Sequence, residues 1–127
     1  MTYKVLIVDD SKLARMAVNK ALSVLQPGWT RVEAANAEEA LEAIRSTDID
    51  LALLDFNMPG RDGLSLAEEL RALRPTMPIA IISANYQTEI VSRTRDIGAA
   101  FLPKPLTTDA MQGFLEDARA RLEGATK

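Results

Sequence analysis

Five short segments rich in β-branched or large aliphatic residues alternate with five longer stretches of helical period, and that alternation constrains the fold more than any other feature of the chain. The short segments are Val5–Val8, Thr30–Ala34, Leu51–Leu54, Ile79–Ile82 and Ala99–Leu102. After the first of them, Ala14, Ala17, Val18, Ala21, Leu22 and Leu25 keep the i, i+3, i+4, i+7 spacing of one buried helix face, which Pro27-Gly28 ends. Asn36 with Glu39 three residues later is a capping-box start for a helix carrying Ala37, Ala40, Leu41 and Ile44. The turn 58–63 leads to a helix with Leu66, Leu70 and Leu73, closed by Pro75. The helix expected over Tyr86–Ile97 has only Ile90, Val91 and Ile97 as large aliphatics, so its apolar stripe is thin, whereas the last helix presents Met111, Phe114, Leu115, Ala118 and Leu122. Strands that read as unbroken apolar runs belong to sheets covered on both faces. The pattern therefore predicts an α/β fold, a doubly wound parallel sheet, with fraying at 124–127.

With 127 residues the chain is expected to be one domain, 1–127. Its 15 Lys+Arg against 18 Asp+Glu give a net charge of −3, so no basic surface invites direct nucleic-acid binding. Cysteine and histidine are both absent. Their absence removes disulfides, thiolate or Ser-His nucleophiles and His-ligated metals, and it leaves carboxylates, hydroxyls and lysine to carry any chemistry. The longest apolar runs fall far short of the roughly 20 residues of a membrane span, and no signal-peptide core opens the chain. A cytoplasmic protein with no membrane partner is the expectation.

In an open parallel sheet the ligand site lies at the carboxyl ends of the strands. Four of the five segments end there in polar residues: Asp9-Asp10 after the first, Asp55 after the third, Ser83 after the fourth, and Lys104 between Pro103 and Pro105 after the fifth. Each has an ordinary reading on its own, as a helix cap, a turn or a solvated cation; their convergence on one edge does not. Close carboxylate pairs repel by about 4 kcal/mol each at an effective dielectric near 20, and one lysine cannot offset three carboxylates. A hard divalent cation is needed, and magnesium fits, because it accepts a few oxygen ligands and completes its shell with water and phosphate oxygens. The site reads as one for phosphoryl transfer, and with no histidine or cysteine the nucleophile falls to a carboxylate, Asp55, at the centre of the group. A cis peptide before Pro105 is expected, to turn Lys104 back into the site.

The pieces V-D-D-S at 8–11, D-F-N-M-P-G at 55–60, D-G at 62–63, I-S-A at 82–84 and K-P at 104–105 resemble, in order and spacing, the receiver domain of two-component response regulators, of the kind seen in single-domain chemotaxis regulators. The resemblance covers essentially the whole chain. It implies a flavodoxin-like sheet in the order 2-1-3-4-5 with five helices. It implies that a histidine kinase or histidine phosphotransfer protein donates a phosphoryl group to Asp55. Magnesium would be bound by Asp10, Asp55 and the main-chain carbonyl of Asn57, with Asp9 acting through a metal-bound water. Ser83 and Phe101 would form a switch pair, and Asn57 and Asn85 would tune how long the phosphate survives. Such a chain is a phospho-acceptor that slowly dephosphorylates itself rather than a turnover enzyme. Arg61 stands where these domains commonly carry methionine.

Other readings fare less well. A flavin carrier on the same sheet would need a Gly/Ser/Thr-rich turn after the first strand, where Asp9-Asp10-Ser11-Lys12 stands. A magnesium-dependent phosphohydrolase would need an acidic residue at 57 and a substrate cap, and a scaffold without acceptor chemistry would not keep every charged residue of the site. The remaining alternative is a receiver belonging to a longer regulator or hybrid kinase, with an effector beyond Lys127, although Met1 suggests a genuine start. Trp29 is expected to pack in a loop. The output is expected to be a downstream protein target, bound at the face made by the Tyr86–Ile97 helix, the fifth strand and the last helix. The acids that mark a charged dimer interface before the switch aromatic are replaced by Ala99 and Ala100, so a monomer is expected, with dimerisation on phosphorylation as the alternative.

Overall fold

The computed structural model describes residues 2–58 and 60–124, so the fraying expected at 124–127 lies, beyond Gly124, outside the described residues. The chain runs β1 (Lys4–Val8), α1 (Lys12–Leu25), β2 (Thr30–Ala34), α2 (Ala37–Ser46), β3 (Leu51–Asp55), α3 (Gly63–Leu73), β4 (Ile79–Ser83), α4 (Thr88–Asp96), β5 (Ala100–Pro103) and α5 (Thr108–Gly124). The five strands are parallel, in the order β2-β1-β3-β4-β5. This is the doubly wound, flavodoxin-like sheet with five helices that the alternation and the resemblance predict.

Strand residues divide by parity between two cores. Leu6, Val8, Leu54, Ile79 and Ile81 meet Ala37, Ala40, Leu41 and Ile44 of α2 and Leu64, Leu66, Ala67 and Leu70 of α3 on one face. Val5, Ile7, Leu51, Leu53, Ala80 and Ile82 meet Val18 and Leu22 of α1 and Met111, Phe114, Leu115 and Ala118 of α5 on the other. Every residue of β3 and β4 is buried, as a strand covered on both faces must be. Trp29 packs edge-on against Tyr3 in the second core, centroids 5.1 Å apart, which bears out its loop-packing role.

Three expectations are corrected. The helix expected over Tyr86–Ile97 is α4, Thr88–Asp96, because the Asn85 side chain accepts a hydrogen bond from the Gln87 N–H and holds that stretch in a turn. The fifth strand begins at Ala100 rather than Ala99. On α1 only Val18 and Leu22 are fully buried, and Ala17 is exposed, because the helix turns its alanines towards an open cleft of 390 Å³ beside Leu106.

Local chemistry sets the element ends. Ser11, Asn36 and Asp62 each accept a hydrogen bond from the main-chain N–H three residues on and so cap α1, α2 and α3. Arg71, in the last turn of α3, donates to the carbonyls of Arg74, Pro75 and Met77 and, across the fold, to those of Ile97 and Gly98 just past α4. Burial, with the Arg121 charge adding, pushes its pKa down, and no carboxylate among the described residues pairs with it. No helix among the described residues is long and apolar enough to cross a membrane.

Candidate functional site

The register of the sheet brings the polar strand ends to one edge. Val8 lies level with Leu54, Asp55 with Ile82, and Ser83 with Pro103, so Asp9, Asp55, Ser83 and Lys104 emerge side by side. One carboxylate oxygen from each of Asp9, Asp10 and Asp55 falls within 4.8 Å of the others. Asp9 and Asp55 are buried, at 6% and 4% exposure, while Asp10 is open to solvent. The Lys104 ammonium sits 2.6 Å from Asp55 Oδ1. That ion pair is the polar partner of a deeply buried carboxylate oxygen, which has no further hydrogen bond among the described residues. Three carboxylates gathered against one ammonium leave an excess of negative charge that a hard cation relieves, and an all-oxygen donor set suits magnesium.

Burial pushes the Asp9 carboxyl above the usual carboxylate range; the N–H of Ser11, 2.9 Å from its Oδ1, opposes this, and the negative charge of Asp55 adds to it. Arg15 holds the main chain here, donating to the carbonyl of Asp9 at 2.6 Å while pairing with Glu33 at 2.9 Å. Next to Asp10, the β3–α3 loop closes a 310 Å³ cleft lined also by Phe56, Asn57, Met58 and Asp62, which places Asn57 at the mouth of the acidic group. That loop is tight because Gly63 presses on the end of β3: its N–H donates to the carbonyl of Phe56 at 2.8 Å, and an added Cβ would overlap the carbonyl of Asp55. Arg61 gains a structural role there, bonding Ser65 and pairing with Glu69 at 2.6 Å.

On the other side of Asp55, Ser83 is buried at 1% exposure and its Oγ accepts from the N–H of Asn85. The Lys104–Pro105 peptide is cis, as expected. Phe101 is half-buried, its ring tilted 59° against that of Tyr86 at 6.0 Å, and the Tyr86 hydroxyl donates to the Lys104 carbonyl at 2.7 Å. Asp9, Asp10, Asp55, Ser83 and Lys104 are thus brought together at this edge and Asn57 and Asn85 stand on the loops that leave it, whereas Phe101 lies level with Ile81, two positions short of it. Gly63, Arg15 and the Tyr86 hydroxyl were not assigned roles there; the D-G pair at 62–63 was the only signal for any of them.

The response regulator receiver domain family model matches residues 5–116. A glycerol metabolism activator from Pseudomonas putida is 37% identical over 119 residues, 89% of this chain and 54% of that protein. The transcriptional regulatory protein PdtaR of Mycobacterium tuberculosis is 35% identical over 97% of this chain and 60% of its own length, so the chain spans little more than half of either relative. A CheY-like receiver domain from Methanospirillum hungatei superposes with a TM-score of 0.87 at 26% identity, covering 98% of this chain and 99% of that one. Receiver domains bind magnesium in an acidic pocket and are phosphorylated by histidine kinases or phosphotransfer proteins; with its acidic strand ends gathered on such a sheet, this chain belongs to the response regulator receiver domain family of phospho-accepting signalling switches.

Proposed function

We propose that Asp55 is the phospho-acceptor of this switch and that a histidine kinase or histidine phosphotransfer protein is its donor. The observation that carries the reading is the ammonium of Lys104 at 2.6 Å from the buried Asp55 carboxylate, with the carboxylates of Asp9 and Asp10 gathered beside it. An Asp55 oxygen attacks phosphorus; an O–P bond forms as the donor's N–P bond breaks, and the donor imidazole leaves with the electron pair. Lys104 and the Ser83 hydroxyl are placed to meet the incoming phosphoryl oxygens, which carry the charge the step develops. Magnesium, held by Asp10, Asp55 and the Asn57 carbonyl with Asp9 acting through a metal-bound water, would neutralise part of that charge. Asn57 and Asn85 flank the acceptor on the two loops and are proposed to set the phosphate lifetime.

For the donor we assign the outer face of α1. Leu13, Met16 and Val24 are 78%, 55% and 72% exposed, and Lys12 and Lys20 accompany them on a helix with no acid, Arg15 being turned inward to Glu33 and the Asp9 carbonyl. In a chain of net charge −3, an apolar, cationic face beside the acceptor fits an acidic amphipathic partner. For the output we keep the face of α4, β5 and α5, reached when Ser83 and Phe101 rearrange, and a separate protein as the target, with the reaction taking place in the cytoplasm. The test is labelling by a small acyl phosphate in magnesium. The wild type is expected to gain one acid- and base-labile phosphoryl group that Asp55→Asn or a chelator abolishes; undiminished labelling of Asp55→Asn sinks the assignment.

A further inference from the structure

We propose that Tyr86 is a positioning residue for this transfer, its hydroxyl fixing the backbone from which Lys104 reaches Asp55. The inference rests on the reading of Asp55 as acceptor and adds a residue to it. A lysine side chain has many rotamers, so where its ammonium settles depends on where its main chain is held. Lys104 lies one residue past the last paired position of β5, an edge strand that the sheet holds on one side only.

Two bonds hold its main chain there, one continuing the pairing with β4 and one from a side chain, and both come from one segment. The Lys104 N–H donates to the carbonyl of Ser83 at 3.0 Å, and the Lys104 carbonyl accepts from the Tyr86 hydroxyl at 2.7 Å. Ser83 and Tyr86 are three residues apart at the end of β4 and in the loop after it. The two side chains placed to meet the phosphoryl group, Ser83 and Lys104, are thereby held in a single frame. Tyr86 is 57% exposed, so burial does little to hold it; the hydroxyl bond and the ring contact with Phe101 do. The same residue touches the switch ring and the lysine main chain, which ties movement of Phe101 to the placement of the ammonium.

Tyr86→Phe separates this role from packing, since it keeps the ring and the Phe101 contact and removes only the hydroxyl. In the full chain labelled by acetyl phosphate with magnesium, the maximal rate constant is expected to fall by about threefold to tenfold, the worth of one hydrogen bond. The half-saturating donor concentration is expected to stay at its wild-type value, and the urea midpoint to fall by no more than the loss of one exposed hydrogen bond explains. In a Lys104→Ala background the same change is expected to have no further effect, because the hydroxyl acts through the lysine. Amide hydrogen exchange at Lys104 is expected to quicken in Tyr86→Phe while that of Ile81, deep in β4, holds. Wild-type rates and wild-type exchange in Tyr86→Phe, or an equal loss of rate in both backgrounds, overturn the inference. Asp55→Asn, run alongside, keeps the two readings apart: if it still labels, the acceptor is wrong, whereas if it is silent and Tyr86→Phe is normal, only the role of Tyr86 is lost.

Discussion

Asp9 carries the electrostatic cost of assembling the site. Its carboxyl is pushed above the usual range by burial first and by Asp55 second, so the folded protein binds this proton more tightly than the unfolded chain does. Below the ordinary carboxylate value, near 4, both states hold the proton and nothing is lost. As pH rises through the interval between the ordinary and the raised value, metal-free stability falls, and above that interval the full penalty remains. Asp9→Asn keeps an acceptor for the Ser11 N–H and removes the charge. It is expected to raise the metal-free urea midpoint at pH 7, with the gap to wild type closing as pH drops into the carboxylate range; a gap independent of pH would contradict this. Gly63 shows the opposite kind of constraint, one of space. Gly63→Ala drives a methyl group against the Asp55 carbonyl, and neither main chain can yield without moving the loop that carries Asn57. Overpacking of this kind costs about 1–3 kcal/mol, so a lower thermal midpoint and weaker magnesium binding are expected together, measured by calorimetry on the same sample.

At the scale of elements, the sequence was most legible where a local signal agreed with the tertiary packing. The α2 helix starts at the Asn36 cap and buries Ala37, Ala40, Leu41 and Ile44 as its period requires. The start of α4 was not legible, because the Asn85 turn outweighs helical propensity over two residues, and the stripe of Ile90, Val91 and Ile97 was too thin to fix a boundary. On α1 the spacing identified a face but not its rotation; the alanines meet a cleft because the core volume is filled by Val18 and Leu22. The strand ends showed which residues meet, since register alone delivers them. What they did not show was the bond from Tyr86 to Lys104, whose partners lie 18 residues apart and meet only through the folded loops. The exposed face of α1 supplies a prediction at this scale. Leu13→Glu is expected to slow transfer from whichever purified histidine kinase phosphorylates wild type fastest by roughly tenfold, about 1.4 kcal/mol of docking, while labelling by acetyl phosphate is unchanged. Equal loss with both donors would place the effect at Asp55 instead of at docking.

For the whole molecule, a cation that binds the folded acidic group and not the unfolded chain must stabilise every element at once. At a hundred times its dissociation constant magnesium is expected to add about 2.7 kcal/mol to unfolding in urea, and calcium-free EDTA controls set the baseline. Asp55→Asn is expected to lose most of that gain; an undiminished gain would place the ion elsewhere. The centre of the sheet is the least free to move in such a change, since β3 and β4 are buried along their full length. The lattice of bonds around Arg71 then decides how motion can be shared out. One guanidinium grips the far end of α4 through Ile97 and Gly98 and anchors it to the end of α3, while the near end follows the loop of Ser83, Asn85 and Tyr86. A rod pinned at one end swings and does not slide, so any displacement at Ser83 is expected to reach α4 as an arc, widest at Thr88 and smallest at Gly98.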